Sequence, residues 1–443
     1  MTSPLEQVRE ERIVMPVRHP FEVDLLFVID DSPSMQQEQA SLVRNMARFA
    51  QVLEQVHGGA PSLHIGVVSS NVGTGPGGGG GPACAGDGDD GILQVPAGCA
   101  PLSDDRRFIR DVQVWPPGTR ERNYTGELAD QLACMADLGA DGCGFAQHLE
   151  AMRRALSNEQ ENAGFLRQDA HLMVVFIQDE DDCSARDRSL FDPGQDDRDA
   201  PLGELSTYRC FEFGTTCDSP SDERAVGPRQ GCRPDEDPAY LEPVATYVDF
   251  LRRLKDGRNK VIVAAVAAGD APIAVGIDPD RDQLRLEPQC VVCPGGSTDC
   301  YPDALDQALV AGAPALRMGA FLDAFAPLAT FQSLCTYHPG RAEIDFSGAL
   351  VQLAYTLELP EGIPCLKGRL TTPPQCAVSD VTNLYREDQT ERLLPPCEDS
   401  DTRPCWQLVP NNRCETGSGL ALEILREVYP PPGTTVVARC LVE

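Results

Sequence analysis

The stretch DLLFVIDDSPSM (24–35) decides how this chain reads. Leu25 to Ile29 are apolar without alternation, the pattern of a strand buried on both faces, as in parallel sheets. The run ends on Asp30, and Asp31, Ser32, Pro33 and Ser34 follow. Asp30, Ser32 and Ser34 stand at alternate positions of one loop, which turns their oxygens toward a common point. Carboxylate and hydroxyl oxygens gathered in this way suit a hard divalent cation, which takes oxygen ligands. The competing reading is an acidic rim in which the two serines only cap the helix that follows.

Outward from this stretch, apolar strands alternate with amphipathic helices. SMQQEQASLVRNMARFAQVLEQV (34–56) carries Leu42, Met46, Phe49 and Leu53 on one helical face. SLHIGVVSSN (62–71), HLMVVFIQD (171–179) and KVIVAAVAAGD (260–270) are further buried strands, RRFIRDVQVW (106–115) an edge strand and TFQSLC (330–335) a short one. Helices are expected over 124–139, 145–157, 240–256, most of 303–326, and 345–359. The alternation predicts an α/β fold with a doubly wound, mostly parallel sheet flanked by helices. Residues 1–22 read as a flexible lead-in and 23–357 as the main domain, with Cys-rich inserts at about 183–238 and 271–302. Residues 358–443 read as a small, Cys-rich, β-rich appendage, with strands in CWQLVP (405–410), LALEILREV (420–428) and TTVVARCLVE (434–443).

Composition limits the function. Lys and Arg number 37 against 68 Asp and Glu, a formal charge of −31. That excess repels phosphate backbones and argues against nucleic acid as a partner. No apolar stretch is long enough to span a membrane. The 18 cysteines sit mostly among Gly, Pro, Asp and Thr, which suggests disulfides and an oxidising compartment. Cys84–Cys99 and Cys134–Cys143 are the expected local pairs. The first 20 residues carry no apolar signal core, so the expectation is that a secretion or lipoprotein signal is missing from this sequence.

Other motifs carry less. CVVC (290–293) has redox or zinc spacing but lies in an irregular insert, which favours structural disulfides. DPDRDQLRLE (278–287) has the Asp spacing of a calcium loop, yet Gln283 stands where that loop needs Gly, so it reads as an acidic loop. His148 reads as a packed or surface helix residue.

The motif Asp30-x-Ser32-x-Ser34 after a buried strand, together with FIQDEDD around Asp179, resembles the von Willebrand factor A, or integrin I-like, family. The likeness runs over about residues 23–357. It is closer still to cysteine-rich bacterial envelope proteins, through the segments at 26–35, GCGF (142–145) and DEDDCS (179–184). The resemblance implies a metal-ion-dependent adhesion site held by Asp30, Ser32, Ser34 and Asp179, with Mg²⁺, Mn²⁺ or Ca²⁺ as cofactor. In that site the hydroxyls bind directly and the aspartates partly through water. The family also supplies a threonine, and Ala140 stands at that place here. Asp141 next to it is a tentative further ligand.

The expectation is therefore a non-catalytic, metal-dependent binding or adhesion module. Its partner is a protein presenting a carboxylate, and its place is the cell envelope or outside the cell, with a lipid anchor where the missing signal is of that type. The alternatives are a metal-assisted hydrolase, a thiol oxidoreductase, or a structural envelope protein with a vestigial site.

Overall fold

The computed structural model describes residues 9–16, 21–54, 60–114, 119–220, 223–255, 260–293, 310–335, 346–357, 365–386, 388–399, 403–410, 414, 418–426, 430–431 and 433–442. The chain opens with β1 (Arg9–Pro16), β2 (Glu22–Ile29), α1 (Gln36–Leu53), β3 (Ser62–Ser69), β4 (Ile109–Val114), β5 (Thr119–Arg122), α2 (Leu128–Ala136), α3 (His148–Ser157) and β6 (His171–Ile177). Next come α4 (Tyr208–Glu212), β7 (Thr215–Thr216), β8 (Gly227–Arg229), β9 (Arg233–Pro234), α5 (Val244–Leu254) and β10 (Val261–Ala267). Then follow β11 (Ile273–Asp278), β12 (Gln283–Leu286), β13 (Cys290–Val292), β14 (Val310–Gly312), α6 (Leu316–Asp323), β15 (Ala329–Ser333) and α7 (Ser347–Thr356). The remaining strands are β16 (Cys376–Thr382), β17 (Thr390–Leu394), β18 (Cys405–Pro410), β19 (Leu420–Leu425) and β20 (Thr434–Val442).

A seven-stranded sheet with the order β15-β10-β6-β2-β3-β4-β5 forms the centre. β15, β10, β6, β2 and β3 run parallel, β4 pairs antiparallel with β3, and β5 pairs antiparallel with β4 at the edge. The expected edge strand β4 is thus one place in from the edge, which β5 takes. Period two along β2 explains the layers. Val23, Leu25, Phe27 and Ile29 face a core shared with Leu42, Met46 and Phe49 of α1, Leu132 of α2 and Leu350 of α7. Leu26 and Val28 face the other core, with Met152 of α3, Tyr247 of α5 and Phe321 of α6. The sheet is a mixed α/β assembly covered on both faces, as the apolar runs predict.

Strand order reverses between β2 and β6: β3 lies on one side of β2, and β6 and β10 on the other. Such a switch point opens a crevice beyond the carboxyl ends of the strands. Asp30 and Asp179 follow the two strands that flank it.

The two inserts pair with each other. β8, from the first, joins β11 and β12, from the second, in a three-stranded sheet. Tyr208, Phe211, Ile273, Val275 and Leu284 share one apolar cluster. Arg209, 1% exposed, donates to the carbonyls of Leu190, Asp192, Gln195, Gly203 and Glu204 and so satisfies backbone that no ladder reaches.

Several expectations are corrected. Residues 9–16 are not a flexible lead-in: β1 pairs along its length with β20, because Ile13 and Met15 pack against the apolar cluster of the C-terminal sheet. Within 303–326 only α6 is helical among the described residues, while β14 pairs with β13. Gly312 and Pro314 break the helical run between them; residues 303–309 lie outside the described residues. The acidic loop at 278–287 is the β11–β12 hairpin.

The disulfides are also corrected. Cys84 bonds Cys143 and Cys99 bonds Cys134, so the expected pairs Cys84–Cys99 and Cys134–Cys143 are exchanged. The loop carrying Cys84 folds over the crevice rim, against Cys143, Phe145 and Phe191, instead of closing back on Cys99. Cys183–Cys210, Cys217–Cys232, Cys290–Cys335, Cys365–Cys414, Cys376–Cys440 and Cys397–Cys405 are also bonded. Cys290 and Cys293 are therefore not a dithiol pair, and no cysteine is free among the described residues.

Candidate functional site

The first element of the site is the loop after β2. Asp30 is fully buried, and its backbone N–H donates to the Ile177 carbonyl (2.9 Å), which ties the ends of β2 and β6 together. Its Oδ1 accepts the Ser32 N–H (2.9 Å), and its Oδ2 lies 3.2 Å from Nε2 of His148. Ser32 and Ser34 do not cap a helix. Ser32 precedes the 3₁₀ turn Pro33–Met35 without a side-chain cap bond, and Met35 precedes α1, also without one. Instead the two hydroxyls lie 3.0 Å apart, and that of Ser34 also reaches the Asp179 carboxylate.

The second element is the loop after β6. Asp179 is 2% exposed, and its Oδ1 has no hydrogen-bond partner among the described residues. Two of the next three acids are engaged by the helices beside the site. Asp181 accepts the N–H groups of Arg317 (2.8 Å) and Met318 (3.1 Å) and so caps α6. Asp182 accepts the Leu149 N–H (2.9 Å) at the start of α3, the Ser184 hydroxyl (2.6 Å) and Nη2 of Arg317 (3.1 Å). Glu180 faces the crevice. Of the DEDD run, then, Asp179 and Glu180 line the site, and Asp181 and Asp182 also fix the two helices that start beside it.

The third element is the loop before α3. The Gly142 N–H donates to the Asp31 carbonyl (2.7 Å), and a β-carbon on Gly142 would lie 2.2 Å from Cγ of Asp31. Only glycine lets these two loops close on each other. Asp141 is exposed and lines the same crevice as Ser32, Ser34 and Asp179, whereas Ala140 is not part of its wall. Gln147, buried, donates to the Gly73 carbonyl (2.8 Å) and accepts the Ala185 N–H (3.1 Å).

Burial sets the electrostatics. It pushes Asp31 up to about 7, helped by the charges of Asp30 and Asp89. It also pushes Glu38 up to about 8, with Asp30 adding to it. Glu180 rises to about 8 for the same two reasons, while the charges of His148 and Arg281 oppose the shift. Asp179 is raised well above the usual carboxylate range by burial, then by Asp30, Glu180 and Glu38. Burial pulls His148 down, but the Asp30 hydrogen bond and charge outweigh it and raise this histidine. Among the described residues no Lys or Arg forms an ion pair with Asp30, Asp31, Glu38, Asp179 or Glu180. Glu38 Oε2 and Asp31 Oδ1 are buried without hydrogen-bond partners, like Asp179 Oδ1.

The four residues expected from the motif, Asp30, Ser32, Ser34 and Asp179, therefore meet at the switch point, with Asp141 at the rim. Local sequence gives no sign of Glu38, Gln147 or the contact of His148 with Asp30. The one available signal for His148 is that it opens the helix directly after GCGFAQ. Among the described residues no three His, Cys, Asp or Glu side chains form a metal-holding group. The crevice encloses about 660 Å³.

No protein-family model matches the sequence, and no curated protein matches it. Solved structures with a similar layout include a von Willebrand factor type A protein from Catenulispora acidiphila, with 9% identity and a TM-score of 0.30, over 98% of this chain and 61% of that one. The pilus adhesin SpaC from Lactobacillus rhamnosus GG, in its open conformation, matches at 9% identity and a TM-score of 0.31, over 98% of this chain and 42% of that one. The pilus adhesin RrgA from Streptococcus pneumoniae matches at 9% identity and a TM-score of 0.28, over 98% and 58%. The chain thus spans less than two thirds of the length of each, and likeness at this level adds nothing about the site.

Proposed function

We propose that this chain is a non-catalytic binding module of the von Willebrand factor A type, which takes a protein partner through a divalent cation, in the cell envelope or outside the cell. The observation that carries the reading is the unequal treatment of acid at the two ends of β2. At its start, buried Asp24 receives Nε of Arg167 (2.7 Å) and Nζ of Lys255 (3.1 Å). At its end, five carboxylates crowd together without such a pair among the described residues, and three of them keep a buried oxygen with no hydrogen bond. Buried charge is retained where it is paired or coordinates a metal.

The residues fit such an ion. The donors are all oxygens, as Mg²⁺, Mn²⁺ and Ca²⁺ require. Asp179 and the hydroxyls of Ser32 and Ser34 would hold it, with Asp30 behind them and Asp141 at the rim. A cation there supplies a coordination position for a carboxylate of the partner. Asp30 has both oxygens engaged by the protein, so its work is to fix the loop and lend charge. Gly142 lets the third loop close on the first, and the Cys84–Cys143 bond ties it to the loop after β3. Eight disulfides among the described residues suit an oxidising compartment.

The test is calorimetric titration of chelator-treated protein with Mn²⁺. Wild type should show one site, and Asp179→Asn, which keeps shape but removes charge, should lose the heat. Equal heats from the two proteins would contradict the reading.

A further inference from the structure

We propose that the crevice takes an acidic peptide segment with two carboxylates, one directed to the cation end and the second to Arg281 and Arg285 on the β11–β12 hairpin. This rests on the cation-dependent reading above and names the class of partner for that site. The wall opposite the β2 and β6 loops comes from the inserts, and among the described residues its only basic ones are these two arginines. Both belong to one hairpin, in a chain whose formal charge is −31.

The hairpin is held in place from several sides. Its turn is organised by Asp278, whose Oδ1 accepts the N–H groups of Asp280 (2.9 Å) and Arg281 (3.2 Å). The Leu284 N–H donates to Glu204 (2.7 Å), Arg198 donates to the Asp282 carbonyl (2.6 Å), and β11 pairs with β8. Arg285 is 23% exposed and has a single long contact, Nη2 to Glu287 at 3.5 Å. Its Nε is buried and has no hydrogen-bond partner among the described residues. With Nε enclosed, a carboxylate in the crevice would meet the two Nη groups, of which Nη2 has only the long Glu287 contact, and such a pair of donors is suited to a bidentate bond. Arg281 is exposed on the same wall. The crevice volume, about 660 Å³, lies in the range of pockets that enclose small ligands.

The lining makes two ends of opposite character: carboxylate and hydroxyl oxygens on one side, the two guanidinium groups on the other. A single acid satisfies only the first. Two neighbouring acids along an extended peptide point to opposite faces and so address both walls. The inserts, on this account, set which acidic partner is accepted.

Fluorescence polarisation with labelled Gly-Glu-Glu-Gly and Gly-Glu-Gln-Gly peptides, on Mn²⁺-loaded protein, tests this. Wild type should prefer the two-carboxylate peptide by about tenfold, the size of one charge-assisted hydrogen-bond pair. Arg285→Gln should abolish the preference, Arg281→Gln should reduce it, and both should bind Mn²⁺ as wild type does by calorimetry. Arg285→Lys, which keeps charge but not the fork, should retain only part of it. A Mn²⁺-loaded wild type without preference, or an Arg285→Gln variant that keeps it, would overturn the inference while leaving the cation site standing. A wild type that takes up no Mn²⁺ would overturn both.

Discussion

At the scale of single residues, Asp30, Asp141 and Ala140 stand differently toward the crevice: Asp30 is buried beneath it, Asp141 lines it and Ala140 does not. Asp30 is committed to Ser32 and His148, so the open donors are those of Ser32, Ser34 and Asp179, with Asp141 exposed on the same wall. Asp141→Ala should therefore weaken Mn²⁺ affinity, whereas Ala140→Thr, at a position outside the crevice wall, should change it little. Parallel titrations at one salt concentration check this; unchanged affinity in Asp141→Ala would leave Asp141 outside the site. Glu38 gives a separate readout through pH. Burial raises its pKa from 4.5 to about 8, so the folded protein holds a proton that the unfolded chain releases between those values. Stability of chelator-treated protein should accordingly fall as pH rises through that window. Glu38→Gln should remove one proton's share of the slope, about 1.4 kcal/mol per pH unit. Urea unfolding at several pH values measures it, and an unchanged slope would exclude Glu38 as its source. The motif Asp-x-Ser-x-Ser makes the first loop legible in the sequence. Glu38 and His148 are not, because each owes its role to a neighbour brought in by the fold and not to its own stretch.

The elements meet through DEDDCS, which ends one strand and starts two helices. Asp181 caps α6, and Asp182 serves α3, Ser184 and the buried Arg317 at once. Breaking a buried pair leaves a charge without compensation, so Asp182→Ala should cost about 3–5 kcal/mol. Chemical denaturation checks it, and a loss below about 1 kcal/mol would show the pair to be marginal. β2, β6 and β10 are legible because each is a continuous apolar run, closed by acid or small polar residues. β1 is not, because REERIVMP sets four charged residues before Ile13, Val14 and Met15, with no alternation to mark a strand, and its partner β20 lies at the other end of the chain. The same holds for β8 and β11, two short strands from separate inserts. Pairing between distant segments leaves no mark in local periodicity.

Over the whole molecule, the parallel sheet supplies a switch point, and the inserts and disulfides build walls around it. The cysteine count pointed to disulfides, but proximity in sequence chose the wrong pairs for Cys84, Cys99, Cys134 and Cys143, because the loop at the rim folds toward α3 and not back on itself. Among the described residues no helix is long and apolar enough to cross a membrane. The proposal is that acid left without a Lys or Arg partner at the ends of β2 and β6, among the described residues, is there to hold a cation. Anomalous scattering from crystals grown with saturating Mn²⁺ tests it most directly. The account predicts one peak in the crevice, bounded by the hydroxyls of Ser32 and Ser34 and the carboxylate of Asp179. A map with no peak there, or with Mn²⁺ bound only elsewhere, would contradict it.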